Sequence, residues 1–364
     1  MRQLSRLSIA SGLSTAIALG AALLFSGTAG AQDLPVTKIM VIGAPSMVNS
    51  WKVVQQPFFS KIMTEDSGGK VTFDAKPHDQ AGIDIAETTR LTSDGVINIG
   101  NGSFNYHAGE DPRLEGIDLP GVGLTVEQAR AAVNSYRHVI ERALKEKYKI
   151  QLLSIQPNTM QVVFCKGNIR SLDDFKGKKV RVFGTAMADY MRELGAVTVN
   201  IPFVETLPAM QQGVADCGIT SPANGNGARW WEVTNTLLIM PVGGWGMTFF
   251  AANAEWWGKQ PPVMQTFLNA EFKKLEDKQW QQAAIDINDG VRCNTGEGQC
   301  QFGVLADAAK RMKPVQPNDA DRKRHGEVMA SSVLKNWAKR CGAACTAEWN
   351  QTIGKVVGFE APVN

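Results

Sequence analysis

Apolar and polar positions along this 364-residue chain repeat in two ways, every second residue over short runs and every three to four over longer ones. Val36 to Gly43 reads as an apolar strand ending in glycine, and Trp51 to about Met63 as an amphipathic helix. Ser67-Gly-Gly69 is a turn into a second strand, Lys70 to Ala75. Ile85 to Ser93 is helical, and Gly95 opens a short strand, Val96 to Ile99. A long helix, Val126 to Lys147, has Thr125 placed as its N-cap, and Ile150 to Ile155 is again a strand. Strand and helix in alternation predict α/β layers with parallel strands.

A second unit follows. Gln161 to Cys165 is a strand, Ser171 to Asp174 a helical turn, and Lys176 to Phe183 a turn into a strand. Helix Ala186 to Leu194, strand Thr198 to Pro202, helix Leu207 to Gln212 and strand Ala215 to Thr220 complete a compact α/β unit. Leu237 to Ala252 is apolar and extended, broken at Gly243-Gly244. Beyond residue 260 the periodicity predicts helices over Pro262–Gly290, Val304–Met312 and Ala320–Arg340.

Composition narrows the class. The length suffices for two domains with their own cores. A hydrophobic share of 44% and a charged share of 20% are those of a soluble globular chain. A net charge of +3, with no block of five or more Lys or Arg, argues against a nucleic-acid binder. The N-terminus carries Arg2 and Arg6, an apolar stretch from Leu7 to Phe25, and Ala29-Gly30-Ala31. This is the order of a secretory signal peptide, cleaved after Ala31; an uncleaved anchor is the alternative. No cysteine sits near that point, which argues against a lipoprotein. No later run of 18 apolar residues occurs, so a soluble mature chain is expected.

Six cysteines follow, an even number that in an exported protein reads as a disulfide set. They permit 15 pairings, among which sequence alone cannot choose. Cys293 and Cys300 bracket a Gly-rich turn, Cys341 and Cys345 close a short loop, and those two pairs would leave Cys165 with Cys217. Zinc-site spacings such as CxxC and HExxH are absent, and the four histidines are scattered, so no metal or cofactor is implied. The nucleophile elbow G-x-S-x-G and a phosphate-cradling glycine loop are also missing, which argues against a secreted hydrolase and against an enzyme in general. Asp173-Asp174 stands at a helix start, where capping accounts for it.

The segment Asp174-Phe-Lys-Gly-Lys-Lys-Val-Arg181-Val resembles the D-x-K-G-x-K-x-R-V element of solute receptors of tripartite ATP-independent periplasmic (TRAP) transporters. Leu194-Gly-Ala196, Pro202-Phe203-Val-Glu205 and Ala209-Met-Gln-Gln-Gly213-Val-Ala-Asp216 continue the likeness. In the first half, Phe59, Ser67 to Lys70, Gly82, Glu87, Leu91, Asp94-Gly95 and Leu119-Pro120 keep the family's order. The resemblance implies a two-lobed, type II-like periplasmic binding protein with crossing strands and a helical C-terminal region. Lobe I would be residues 32–158 with 246–285 returning to it. Lobe II would be 159–245, with the helices of 286–364 packed on it and across both lobes. It further implies a monomeric receptor that closes on a small organic acid and delivers it to a small and a large membrane permease subunit. A receptor serving a sensor or an ABC-type permease would have a similar fold.

The same resemblance singles out site residues. Arg181 would grip the acid's carboxylate with its planar fork; the plainer alternative is a stabilising salt bridge. Gln161 stands where several relatives carry a second Arg, which implies one clamped carboxylate rather than two. Phe203, Thr220 and Ser221 match positions near the ligand. Trp245, between glycines, would be a pocket wall or an interlobe packing residue. Trp51, Asn101 and Ser103 would face the cleft, whereas Trp230-Trp231 would pack lobe II. Cys217 departs from the family's usual glycine; bonded to Cys165, it would tie two lobe II strands beside the pocket. One Arg, a neutral Gln161 and these aromatic candidates imply a monocarboxylate with apolar or aromatic character.

Overall fold

The computed structural model describes residues 34–363; the expected signal peptide and its cleavage point lie outside them. The first strands are β1 (Thr37–Gly43), β2 (Val71–Pro77), β3 (Ile99–Ser103) and β4 (Ile150–Gln156). Next come β5 (Val162–Cys165), β6 (Lys179–Val182), β7 (Val197–Asn200), β8 (Cys217–Thr220) and β9 (Thr236–Leu238), then β10 (Thr248–Asn253) and β11 (Lys313–Val315). They form two sheets, β2-β1-β3-β10-β4 and β11-β9-β5-β8-β6-β7, flanked by helices in a two-lobed α/β architecture.

The expected parallel pairing holds only in part. β1 pairs in parallel with β2 and β3, and β6 with β7 and β8. However, β10 runs antiparallel to both β3 and β4, and β5 antiparallel to β8 and β9. The cause is topological. The chain leaves the first sheet after β4 and returns to it in β10, so the strands on either side of the crossing enter their sheets in reverse. The two crossing segments are joined by backbone bonds: Asn158 and Thr159 N–H to the Trp245 carbonyl at 3.2 Å, and Gln161 N–H to the Gly244 carbonyl at 2.9 Å.

Local chemistry explains the helices. Thr125 Oγ1 accepts from the Gln128 N–H, starting the helix Val126–Tyr148. Its buried positions Ala129, Val133, Tyr136, Ile140 and Ala143 recur every three or four residues and form one apolar stripe. The expected helix after Trp51 forms, but in wide π-type turns over Ser50–Gln55 and Phe58–Ile62. Pro57, which has no N–H to donate, stands between them. The third strand lies later than the sequence pattern predicts. Val96 is exposed in the turn, while β3 presses Gly100 against the preceding helix, where a Cβ would come within 2.1 Å of Thr92 Oγ1.

Helix Pro262–Thr295, at 34 residues, is longer than its pattern and packs on β4 as well as on the helix Pro222–Gly227 of the second unit. The helix expected over Val304–Met312 does not form. Val304 and Leu305 are exposed, Met312 is buried, and Lys313-Pro314-Val315 joins the second sheet as an edge strand beside β9. Pro314 is disfavoured in a helix and tolerated at a sheet edge. The final helices, from Asp319 to Val357, lie against both Val126–Tyr148 and Thr185–Glu193. No helix among the described residues is long and apolar enough to cross a membrane.

At that last contact Tyr190 Oη and His325 Nδ1 are 2.8 Å apart, and burial pushes the imidazole pKa down to about 4. Between pH 4 and 6.5 the unfolded chain therefore binds more protons here than the folded one. The stabilising contribution is complete above the unfolded value and is lost as pH falls. Buried His78 and His107, also lowered, act in the same direction. His325→Gln, which keeps an acceptor for Tyr190, is expected to remove roughly 2–3 kcal/mol of the stability difference between pH 7 and pH 4.5. Urea unfolding at the two pH values measures it, and an unchanged difference would count against the assignment.

Candidate functional site

β6 sits between β7 and β8, with Arg181 opposite Val199 on one side and Gly218 on the other. The arginine is 1% exposed. Its Nε donates to the Ile201 carbonyl at 2.8 Å and its Nη1 to the Ile219 carbonyl at 2.9 Å, which fixes the plane of the fork. Phe183 and Trp230 lie over the guanidinium, with ring centroids at 4.9 and 5.7 Å. Burial pushes the Arg181 pKa down to about 10, opposed by the adjacent Tyr106 hydroxyl. The side chain thus stays cationic at neutral pH, and among the described residues no carboxylate forms a salt bridge with it. Burial of a cation with no counter-charge is costly. This cation lines a cavity of about 330 Å³ into which an anion could come.

Both sheets build that cavity. Ala44, Pro45 and Val48 after β1, Asn101 and Ser103 of β3, and Thr248 of β10 line it from the first. Phe183, Pro202, Phe203, Thr220 and Asn224 line it from the second, and Asn158, Gln161 and Gly246 from the crossing segments. The carboxylates on its wall already have donors. Asp79 accepts from Ser46 N at 2.8 Å and Ser46 Oγ at 2.5 Å, and Asp84 caps the helix Ile85–Ser93 through the Ala86 N–H. His78 Nδ1 is 2.9 Å from the Ile83 carbonyl, and burial lowers its pKa, leaving it neutral at pH 7. Arg181 is therefore the permanent cation among the lining residues.

Gln161 Nε2 donates to the Thr159 carbonyl at 2.6 Å, so its amide is a fixed neutral group on the wall. Asn158 ties the cavity to both flanks, accepting from Ser50 Oγ at 3.1 Å and donating to the Gly246 carbonyl at 2.6 Å. Phe203 packs on Trp230 at 5.5 Å and also against the cluster of Ala44, Val48 and Trp51, bridging the two sheets.

Arg181, Gln161, Phe203, Thr220, Asn101 and Ser103 thus converge on one cavity, and three other expected residues do not. Trp51 is buried behind the wall, its ring against Gly43 at the end of β1. Ser221 caps the helix Pro222–Gly227, accepting from the Asn224 N–H at 3.1 Å, and is turned into the protein. Trp245 donates from Nε1 to the Gly123 carbonyl at 2.6 Å and packs near Trp280, so it is a packing residue at the crossing. Trp230 and Trp231 are buried in the core of the second unit, as expected.

The disulfides pair Cys165 with Cys217, Cys293 with Cys300, and Cys341 with Cys345. Cys165 faces Cys217 across β5 and β8, while the cavity residue Thr220 faces Val162 at the other end of the same pair. The bond therefore ties the two strands at the end away from the cavity, not beside it. Sequence reasoning missed Phe183, Tyr106 and Asn158. Phe183 was within reach, because it stands two residues after Arg181 and period-two alternation puts both on one face.

Comparison with known proteins places these features in a family. Residues 49–311 match the family described as bacterial extracellular solute-binding protein, family 7 (DctP). A solute-binding protein of Sulfitobacter sp. (strain NAS-14.1) is 24% identical over 223 residues, covering 60% of this chain and 66% of the relative. Another, of Albidiferax ferrireducens, is 26% identical over 195 residues, covering 52% and 56%. The chain thus spans less than two thirds of the length of these two relatives. Solved structures are matched over nearly their whole length. DctP7 of Bordetella pertussis, a receptor binding pyroglutamic acid, aligns at TM-score 0.72 and 20% identity, over 88% of this chain and 99% of that one. A TRAP solute binding protein of Rhodoferax ferrireducens with bound malonate aligns at 0.74 and 19%, over 88% and 98%.

Proposed function

The chain belongs to the bacterial extracellular solute-binding proteins of family 7, and we propose that it is a TRAP-type receptor for a small organic monocarboxylate, gripped by Arg181. The observation that carries this reading is the buried guanidinium on the cavity wall, held by two carbonyls and, among the described residues, without a carboxylate partner. A carboxylate in the cavity would supply the missing charge and accept the remaining N–H groups of the fork. Neighbouring structures that hold pyroglutamate, malonate and orotate support an acid as the ligand class.

Gln161 at the second-Arg position favours one carboxylate over two. Phe183, Tyr106 and Phe203 supply the apolar and aromatic wall first expected of Phe203 and Trp245. In this reading the chain is exported to the periplasm, loses its leader after Ala31, works as a monomer and presents its closed form to the permease subunits. Lobe I is 32–158 with 246–285, and lobe II 159–245 with the helices of 286–364. Closure needs no covalent step: the lobes meet, Phe203 seats against Ala44 and Val48, and the acid is withdrawn from water.

A thermal-shift panel of acids tests the reading. Apolar and aromatic monocarboxylates at about 100 times Kd should add about 2.7 kcal/mol to stability and raise Tm by several degrees. Stabilisation by succinate- or malate-like diacids alone would overturn the monocarboxylate assignment. No response to any acid would overturn the receptor assignment.

A further inference from the structure

Across the cavity from the Arg181 sheet lies a polar atom whose chemistry is determined. Asn101, on β3, is 1% exposed and lines the cavity. Its Nδ2 donates to the Phe249 carbonyl at 3.0 Å, and its Oδ1 is buried with no hydrogen-bond partner among the described residues. Turning the amide over would set Oδ1 against the Phe249 carbonyl, acceptor against acceptor. The free atom is therefore the oxygen, and it can only accept. A buried acceptor without a donor costs stability, and because Asn101 lines the cavity, a donor on the ligand is the partner at hand for it.

From this we infer that the ligand is a monocarboxylate that also carries an N–H or O–H donor, with Arg181 taking its carboxylate and Asn101 Oδ1 its donor. The inference rests on the receptor reading above and narrows it. The charges on the wall agree. One guanidinium faces the two carboxylates of Asp79 and Asp84, with His78 neutral, so a second ligand anion would meet like charge, whereas a donor would not. Ser103, two residues along β3 on the same side as Asn101, adds a second polar group to that wall. The acid is thus oriented between the sheets, its carboxylate toward β6 and its donor toward β3. Orientation by two groups on opposite walls would favour closure only with an acid that reaches both.

Matched pairs of acids test it by calorimetry on the mature protein. The O–H pair is 3-phenyllactate against 3-phenylpropanoate, and the N–H pair is 2-pyrrolidone-5-carboxylate against 3-oxocyclopentanecarboxylate, which keeps the ring carbonyl and replaces the N–H by CH₂. The donor-bearing member of at least one pair is expected to bind roughly tenfold to a hundredfold more tightly, the effect of leaving a buried acceptor unpaired. Which pair shows it identifies the donor. In Asn101→Leu, close in size and without the acceptor, the ratio within each pair should fall to near one. Equal affinities within both pairs in the wild type, or a preference that survives in Asn101→Leu, would overturn the inference while leaving the Arg181 reading in place. Binding of neither acid in either pair would overturn both. Should Asn101→Leu fail to fold, the wild-type pairs and Asn101→Ser, whose shorter side chain withdraws the acceptor, still decide the question.

Discussion

Arg181→Met is expected to lower affinity for the acid by about 100- to 1,000-fold while changing the stability of the unliganded protein by less than about 1 kcal/mol. The two halves of that expectation have one cause. A buried guanidinium with no protein carboxylate costs free energy in the empty receptor, as its pKa pushed down to about 10 indicates. Methionine removes that cost and fills similar volume between Phe183 and Trp230, but it orphans the Ile201 and Ile219 carbonyls. The loss is of the order of two buried polar contacts, the gain is the relieved burial of the charge, and the two nearly cancel. In the bound state nothing cancels, because the carboxylate would be left buried without a cation. Arg181→Lys should fall between, since it keeps the charge and loses the planar fork. Calorimetry and urea unfolding give both quantities. If affinity held within threefold, the clamp would be wrong. A loss of more than about 3 kcal/mol in the empty protein would make Arg181 a structural residue instead.

How much of this was legible in the sequence depended on whether the cause was local. Ile85–Ser93 and the Thr125 cap were read correctly, because a cap and a periodic stripe are carried by neighbouring residues. Arg181 was visible as a cation at a strand end, and family order raised it above the other charged residues. For Trp245 the sequence leaves pocket wall and interlobe packing open, because its direction depends on Gly123 and Trp280, both distant in sequence; packing is what forms. Of the adjacent pair Thr220 and Ser221, only the first lines the cavity: Thr220 ends β8 there, and Ser221 turns away to cap a helix, a change of direction that strand alternation alone does not mark. The helix expected over Val304–Met312 failed because an apolar run beside an open sheet edge can pair as a strand, and no local signal records that edge. The antiparallel pairing of β5 and β10 was hidden likewise, since it follows from where the chain crosses between the sheets.

Asp118 was not visible at all, and it carries the second large effect. Its carboxylate Oδ1 accepts from the Trp245 N–H at 2.6 Å, and Oδ2 accepts from the Met247 N–H at 2.9 Å and Asn105 Nδ2 at 2.6 Å. Those donors hold the crossing segment that returns to β10, including Gly246 on the cavity wall. Gly244, at φ 73°, lies so close that a Cβ there would come within 2.4 Å of the Asp118 carbonyl. Burial pushes the carboxyl up to about 7, opposed by these donors. Asp118→Asn preserves shape but not chemistry: whichever way the amide turns, its NH₂ faces an N–H donor. The expected loss is roughly 2–4 kcal/mol in urea unfolding, the sum of broken bonds and two opposed donors in a dry site. Ligand affinity should weaken as well, because Asn158 and Gln161 take their positions from the same segment and the binding-competent arrangement would be less populated. That pattern is the converse of Arg181→Met, with stability falling first and affinity following from it. A loss below about 1 kcal/mol would mean that the crossing is held by its backbone bonds to residues 158–161 alone.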